Sequence, residues 1–214
     1  GYHPAKLRRY AEMIEAHISP EMQKTMKAVA EAGGDMTKVN GDSIFPVLNM
    51  LNTKYFIFPL QGGQTVPVQN PYAYGNAWFV DKVTYANNAN EEIDEVGKLN
   101  LRHEAVADAK FKEQLGQSVP QDDTSMVKMI QYKPNNLTYE VKSSKGGVIV
   151  FSEIYYPGWT ATVDGQPAEL GRVNYILRAL NVKPGSHKVV LDFHPSSLKK
   201  TETVAYIGYV VLLL

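Results

Sequence analysis

Cysteine is missing from all 214 residues, which excludes disulfides, thiolate nucleophiles and cysteine-ligated zinc. Net charge is missing too, since 22 Lys and Arg balance 22 Asp and Glu. After Lys6, Arg8 and Arg9 no comparable basic group recurs until Lys199 and Lys200. A chain so balanced has no electrostatic reason to seek nucleic acid, and no such partner is expected. No glycine-rich strand-to-helix turn, phosphate-binding loop or nucleophile elbow occurs, so neither a nucleotide cofactor nor a serine-hydrolase centre is expected. His3, His17, His103, His187 and His194 form no close pair on one helical face, and no metal site is expected. A membrane span needs about 20 apolar residues. The closing run Thr203 to Leu214 is uncharged but shorter than that, so it reads either as a final strand or helix packed on the core or as the first half of a span.

What is present divides at about Asp123. Before it, Leu7, Tyr10, Ala11, Ile14 and Ile18 keep one apolar stripe. Ser19-Pro20-Glu21 has the pattern of a new helix start, a hydroxyl cap followed by proline and an acid. Met22, Met26 and Val29 are expected on its inner face, and Gly33-Gly34 at its end. Tyr55 to Phe58 reads as a buried strand closed by Pro59, and Gln61 to Tyr74 as a long loop. A strand from Asn76 is expected to continue to Tyr85, followed by a short helix near Asn90 ending at Gly97. Phe111 to Leu115 reads as another brief helix, and Glu91, Glu92, Asp94 and Glu95 as a solvated helix face. Beyond Asp123 the period becomes two. Leu137, Tyr139 and Val141 alternate with polar residues, and Val148 to Tyr156 is apolar on nearly both sides. Asp164-Gly165 supplies a hairpin turn, and Lys183-Pro184-Gly185-Ser186 a tight turn between two further strands. The expected fold is α+β, with an N-terminal α/β portion over residues 1–123 packed against a C-terminal antiparallel β-sandwich over 124–202. The two parts are expected to share an interface.

No catalytic constellation emerges. Asp122 and Asp123 are adjacent in an extended stretch, so their side chains point apart and are poorly placed to share a proton or a metal. The informative stretch is SEIYYPGWTATVDG, residues 152–165. Tyr155, Tyr156 and Trp159 flank Pro157-Gly158 beside the carboxylate of Glu153, an arrangement able to stack on a sugar. The same residues serve equally as a core anchor and a covered sheet edge. Asn174 and Arg178 are spaced to share a sheet face, and Arg178 can pair with Glu153 if their strands are neighbours.

The order of several segments resembles the YfhO-like family of bacterial integral membrane proteins. They are HPAKLRRY at 3–10, VLNMLNTKYFI at 47–57, GNAWFV at 75–80, VFSEIYYPGWTATVDG at 150–165 and NYILRALNVKPGSHKVVLDFHP at 174–195. SEIYYPGW followed by DG and NYILRA is the most specific part. The resemblance implies a region outside the cytoplasm near the carboxyl end of a polytopic protein similar to glycosyltransferases that use polyprenyl-phosphate sugars. Residues 203–214 then read as the start of a transmembrane helix that continues beyond Leu214. The acidic catalytic residues of such enzymes lie in an early loop with no counterpart here, so none is carried over. Two functions follow. The first is a noncatalytic extracytoplasmic module at the bacterial cell membrane, positioning an envelope glycan through Glu153, Tyr155, Tyr156, Trp159, Asn174 and Arg178. The second is a structural or protein-interaction domain that stabilises the remainder of its own membrane domain. A cleft lined by Tyr155, Tyr156 or Trp159 favours the first, and complete burial of those rings favours the second.

Overall fold

The computed structural model describes residues 7–59, 61–195, 201, 205–206 and 208–209. Helix α1 (Arg8–Met13) runs through a π-helical turn (Ile14–Ile18) into α2 (Ser19–Glu31). The expected restart at Ser19 is therefore corrected, because Ile18 and Ser19 both keep helical backbone and no side chain caps the start. Pro20 supplies the physical reason. It lacks an N–H, and in regular α-geometry its ring meets the carbonyl four residues back, so the wider turn just before it accommodates the ring.

The buried face of α2 is also corrected. It carries Glu21, Thr25 and Val29, while Met22 and Met26 are exposed. Both sets have helical spacing, and hydrogen bonding decides between them. The Glu21 carboxylate accepts the N–H groups of Val47 and Leu48, each at 3.0 Å. These are orphan donors at the start of α4 (Pro46–Met50), which follows the short α3 (Gly41–Ile44).

Strand β1 (Tyr55–Pro59) pairs antiparallel with β2 (Thr65–Gln69), so the expected loop from Gln61 to Tyr74 contains a strand. Gly62 and Gly63, at φ 79° and 78°, turn the chain between them. Phe56, Phe58 and Val68 on one face of this hairpin cover a cluster built on Val29, Met36, Val39, Phe45 and Leu48.

The remaining strands are β3 (Ala77–Val80), β4 (Lys82–Ala86), β5 (Glu104–Asp108), β6 (Met126–Lys133), β7 (Asn136–Ser143) and β8 (Gly147–Ile154). They continue as β9 (Trp159–Val163), β10 (Gln166–Ala168), β11 (Gly171–Val173), β12 (Leu177–Val182) and β13 (Gly185–Phe193). One sheet has the order β10-β9-β13-β7-β6, the other β3-β8-β12-β11-β5-β4. Within both, β4 and β5 pair in parallel and the other pairs are antiparallel. Asp81 breaks the expected long strand from Asn76, sending β3 and β4 to opposite edges of one sheet. The six-stranded sheet takes β3, β4 and β5 from before Asp123 and β8, β11 and β12 from after it.

Strand β8 shows how the layers form. Ile149 and Phe151 face the cluster between the sheets with Leu137, Tyr139, Leu180 and Leu191. Val148 and Val150 face the opposite cluster, which contains Met13, Val47, Met50, Val96 and Leu101. Alternation thus buries both faces, as a central strand requires. The turn at Lys183-Pro184 carries the chain from β12 in one sheet to β13 in the other. The fold is α+β. Most of 203–214, the expected start of a membrane helix, lies outside the described residues. Among the described residues no helix is long and apolar enough to cross a membrane.

Candidate functional site

The end of β8 builds the aromatic turn. Ile154 pairs with Leu177, but Phe151 pairs with Arg178, so Ser152 and Glu153 form a bulge opposite β12. Ser152 is fastened by its N–H to the Asn76 carbonyl at 3.0 Å and by its hydroxyl to the Gly75 carbonyl at 2.6 Å. The bulge aims the Glu153 carboxylate at Arg178, whose Nη2 lies 3.1 Å away. Arg178 also donates from Nε to the Ile154 carbonyl at 3.1 Å. Its guanidinium carbon lies 4.0 Å from the centre of the Trp159 ring. The side chain is only 2% exposed, and this burial lowers its pKa from the ordinary value, opposed by the Glu153 charge.

Pro157-Gly158 turns the chain from β8 to β9 between the two sheets. Gly158 has φ +102°, and a Cβ there would meet Pro195 Cα at 3.0 Å and Phe193 Cε2 at 3.1 Å. The Trp159 ring packs 5.3 Å from that of Phe193. Tyr155 is partly buried, its ring edge-on to Phe111 at 5.8 Å. Tyr156 is 46% exposed.

Beside this turn a cavity of about 380 Å³ is lined by Gln114, Tyr155, Tyr156, Trp159, Glu169 and Arg178. Two buried polar atoms on these lining residues have no hydrogen-bond partner within the protein, the Arg178 Nη1 donor and the Gln114 Oε1 acceptor. The cleft therefore sets aromatic rings beside the polar side chains of Gln114, Glu169 and Arg178.

Four of the six expected residues line this cavity, and Glu153 stands behind it holding Arg178. Asn174 is placed elsewhere. It is fully buried in the turn between β11 and β12, where it exchanges hydrogen bonds with Val106. Its N–H donates to the Val106 carbonyl at 2.7 Å, and its Oδ1 accepts the Val106 N–H at 3.0 Å. Asn174 and Tyr175 take φ values of 49° and 70°, so this turn is strained at both residues.

The sequence reading missed a second group on the other side of the tyrosines. A cavity of about 240 Å³ is lined there by Arg9, Tyr155, Tyr156, Arg172, Tyr175 and Ile176, among others. Glu92, expected on a solvated face of α5 (Ala89–Val96), is instead fully buried. Arg9 reaches it at 3.0 Å and Arg172 at 2.9 Å, and two guanidinium partners are what make its burial tolerable. Tyr175 donates its hydroxyl to Glu12 and lies under the Arg9 guanidinium, 4.3 Å from ring centre to carbon. That hydrogen bond lowers the Glu12 pKa below its ordinary value, with Arg8 adding to the effect. The spacing Glu92–Val96 was the available signal, since a residue four before a buried valine shares its helix face.

Among the described residues no group of three or more His, Cys, Asp or Glu could hold a metal ion. Such a fold and cleft define a β-sandwich module flanked by helices, with an aromatic groove at one sheet end. The family described as bacterial membrane protein YfhO matches residues 43–204, and the chain belongs to that family. The segment HPAKLRRY at 3–10 lies outside the matched range. No curated protein matches the chain, and no solved structure does.

Proposed function

We propose that this chain is a noncatalytic extracytoplasmic module of a YfhO-family membrane protein, of the kind that resembles polytopic glycosyltransferases, and that it positions an envelope glycan. The glycan rests against Tyr155, Tyr156 and Trp159, with Arg178 stacked on Trp159 to fix that ring. Glu153 keeps Arg178 in place, and Asn174 holds the β11–β12 turn from which β12 starts. The rest of the same membrane protein is its constant partner. One observation carries the reading: Tyr155, Tyr156 and Trp159 line one cleft together with the polar side chains of Gln114 and Glu169. A saccharide hydroxyl both accepts and donates, and a pyranose face stacks on an aromatic ring, so a sugar suits both kinds of lining. A second reading, a purely structural domain, draws support from the way Glu153, Arg178 and Trp159 lock one another across the sandwich.

Protein-detected NMR titration with envelope glycan fragments separates the two. Saturable shifts at 155–159 and at the Gln114 side-chain amide, lost in folded Tyr155→Ala and Tyr156→Ala variants, are expected. A glycan panel that moves no resonance at this turn leaves the structural domain as the function. Sugar transfer by the purified chain would overturn the noncatalytic assignment.

A further inference from the structure

The hairpin β1–β2 breaks the rule that a one-sided sheet presents polar residues to water. Its inner face, Phe56, Phe58 and Val68, covers the helical cluster. Its outer face is formed by Tyr55, Ile57 and Pro59 with their register partners Gln69, Pro67 and Thr65. Tyr55 is 58% exposed and Ile57 68%, and Pro59 and Pro67 beside them are exposed as well. This is an apolar patch on a surface element, and nothing in the described residues covers it. The surrounding sequence has no charge to keep it in water. No Asp, Glu, Lys or Arg occurs between Lys54 and Asp81.

We infer that this outer face docks onto the interfacial layer of a lipid bilayer. Three observations select lipid over a protein partner. The rim of a protein interface is polar and fixes orientation, whereas here only the uncharged Thr65 and Gln69 flank the apolar residues and neither strand carries a charge. A tyrosine flanked by an aliphatic residue, with Lys54 at the strand's start, is the composition that bilayer interfaces hold at headgroup level. Pro59 and Pro67 each remove a main-chain donor from a two-stranded sheet whose edges are open, which lowers the cost of bringing those edges near lipid. The open edges limit the depth to the interface, because unpaired main-chain groups do not enter the hydrocarbon. Membership of a membrane-protein family places a bilayer within reach. The inference stands apart from the glycan reading and shares no residue with it.

The chain's lack of cysteine makes the test clean, since Ile57→Cys carries a unique environment-sensitive fluorophore. With vesicles of phosphatidylcholine and phosphatidylglycerol, emission at position 57 is expected to shift blue and be quenched by brominated lipid. A label at Glu113→Cys, exposed on α6 (Lys112–Leu115), is expected to stay unchanged. The local readout separates hairpin docking from attachment through the apolar run Thr203 to Leu214. A Tyr55→Asp, Ile57→Asp double variant, both positions being exposed, is expected to keep its unfolding midpoint and to lose at least about tenfold in vesicle affinity when attachment through the terminal run is subtracted. Three results would overturn the inference. They are an unmoved label at saturating vesicles, a label response that needs protein concentration and no lipid (a second copy as occupant), or insertion at position 57 unaffected by Tyr55→Asp.

Discussion

Glu21 is buried with its carboxylate on the N–H groups of Val47 and Leu48, and burial raises its pKa from 4.5 to about 7 against the pull of those two donors. The sign follows from proton counting. Between these two values the folded state holds a proton that the unfolded chain has released. The stability from that proton is fully present below about 4.5 and is lost as pH rises through about 7. Raising the pH from 5 to 8 is therefore expected to cost on the order of 3 kcal/mol from this group. Urea unfolding at both pH values, in the wild type and in Glu21→Gln, isolates it. The variant should show the flatter pH dependence, and equal slopes would refute the assignment. Gly158 makes a second residue-scale case. Its φ of +102° is strained for any side chain, and a Cβ would press on Pro195 and Phe193. Gly158→Ala is expected to cost about 1–3 kcal/mol and to disturb the Trp159–Phe193 contact. A midpoint unchanged in urea would show that the turn yields freely.

The two-residue bulge at the end of β8 turns a strand into a site. Without it, Glu153 would fall in register with β12 rather than reach the Arg178 guanidinium from the side. Arg178 belongs to the six-stranded sheet and Trp159 to the five-stranded one, so the stacked guanidinium spans the sandwich. Glu153→Ala leaves that buried cation with the Ile154 carbonyl as its remaining hydrogen-bond partner. Because Glu153 is 33% exposed and water reaches the pair, the expected loss is about 1–3 kcal/mol, less than for a fully buried pair. Glu153→Gln keeps an acceptor oxygen and should lose less. Chemical denaturation of the two variants checks this order, and a larger loss for Gln would refute it. Much of this element was legible beforehand. Alternation identifies β7 and a nearly continuous apolar run identifies β8, and Asp164-Gly165, at φ 52° and 80°, makes the two-residue hairpin that its composition implies. The bulge was not legible, because every residue from Val148 to Ile154 is compatible with regular pairing. The pairing of Glu153 with Arg178 requires neighbouring strands, and adjacency of β8 and β12 meets that condition.

At the scale of the whole molecule, local pattern identifies elements but not which sheet receives them. Composition misleads at two places. Gln61 to Tyr74 has loop residues, yet β2 forms because β1 offers it a partner and the helical cluster offers Val68 a place to pack. Glu92 has the sequence context of a solvated acid, yet Arg9 and Arg172, distant in sequence, converge on it. Long-range pairing also decides what the change of period at Asp123 means. Strands from both sides of that residue share the six-stranded sheet. A chain cut to residues 124–195 keeps all of the five-stranded sheet but leaves β8, β12 and β11 without β3, β5 and β4. It also removes the helices that cover Val148, Val150, Val173 and Leu177, all of which are buried in one cluster with Met13 and Met50. Exposing four such side chains costs on the order of 10 kcal/mol. That is comparable with the ~5–15 kcal/mol that holds a whole domain folded. We therefore expect residues 124–195 alone to bind hydrophobic dyes and to unfold without a cooperative transition, while the full chain unfolds in one step through both sheets. Differential scanning calorimetry of the two polypeptides decides it. A sharp transition in the shorter one would mean that the sandwich is an independent domain and the shared sheet only an interface.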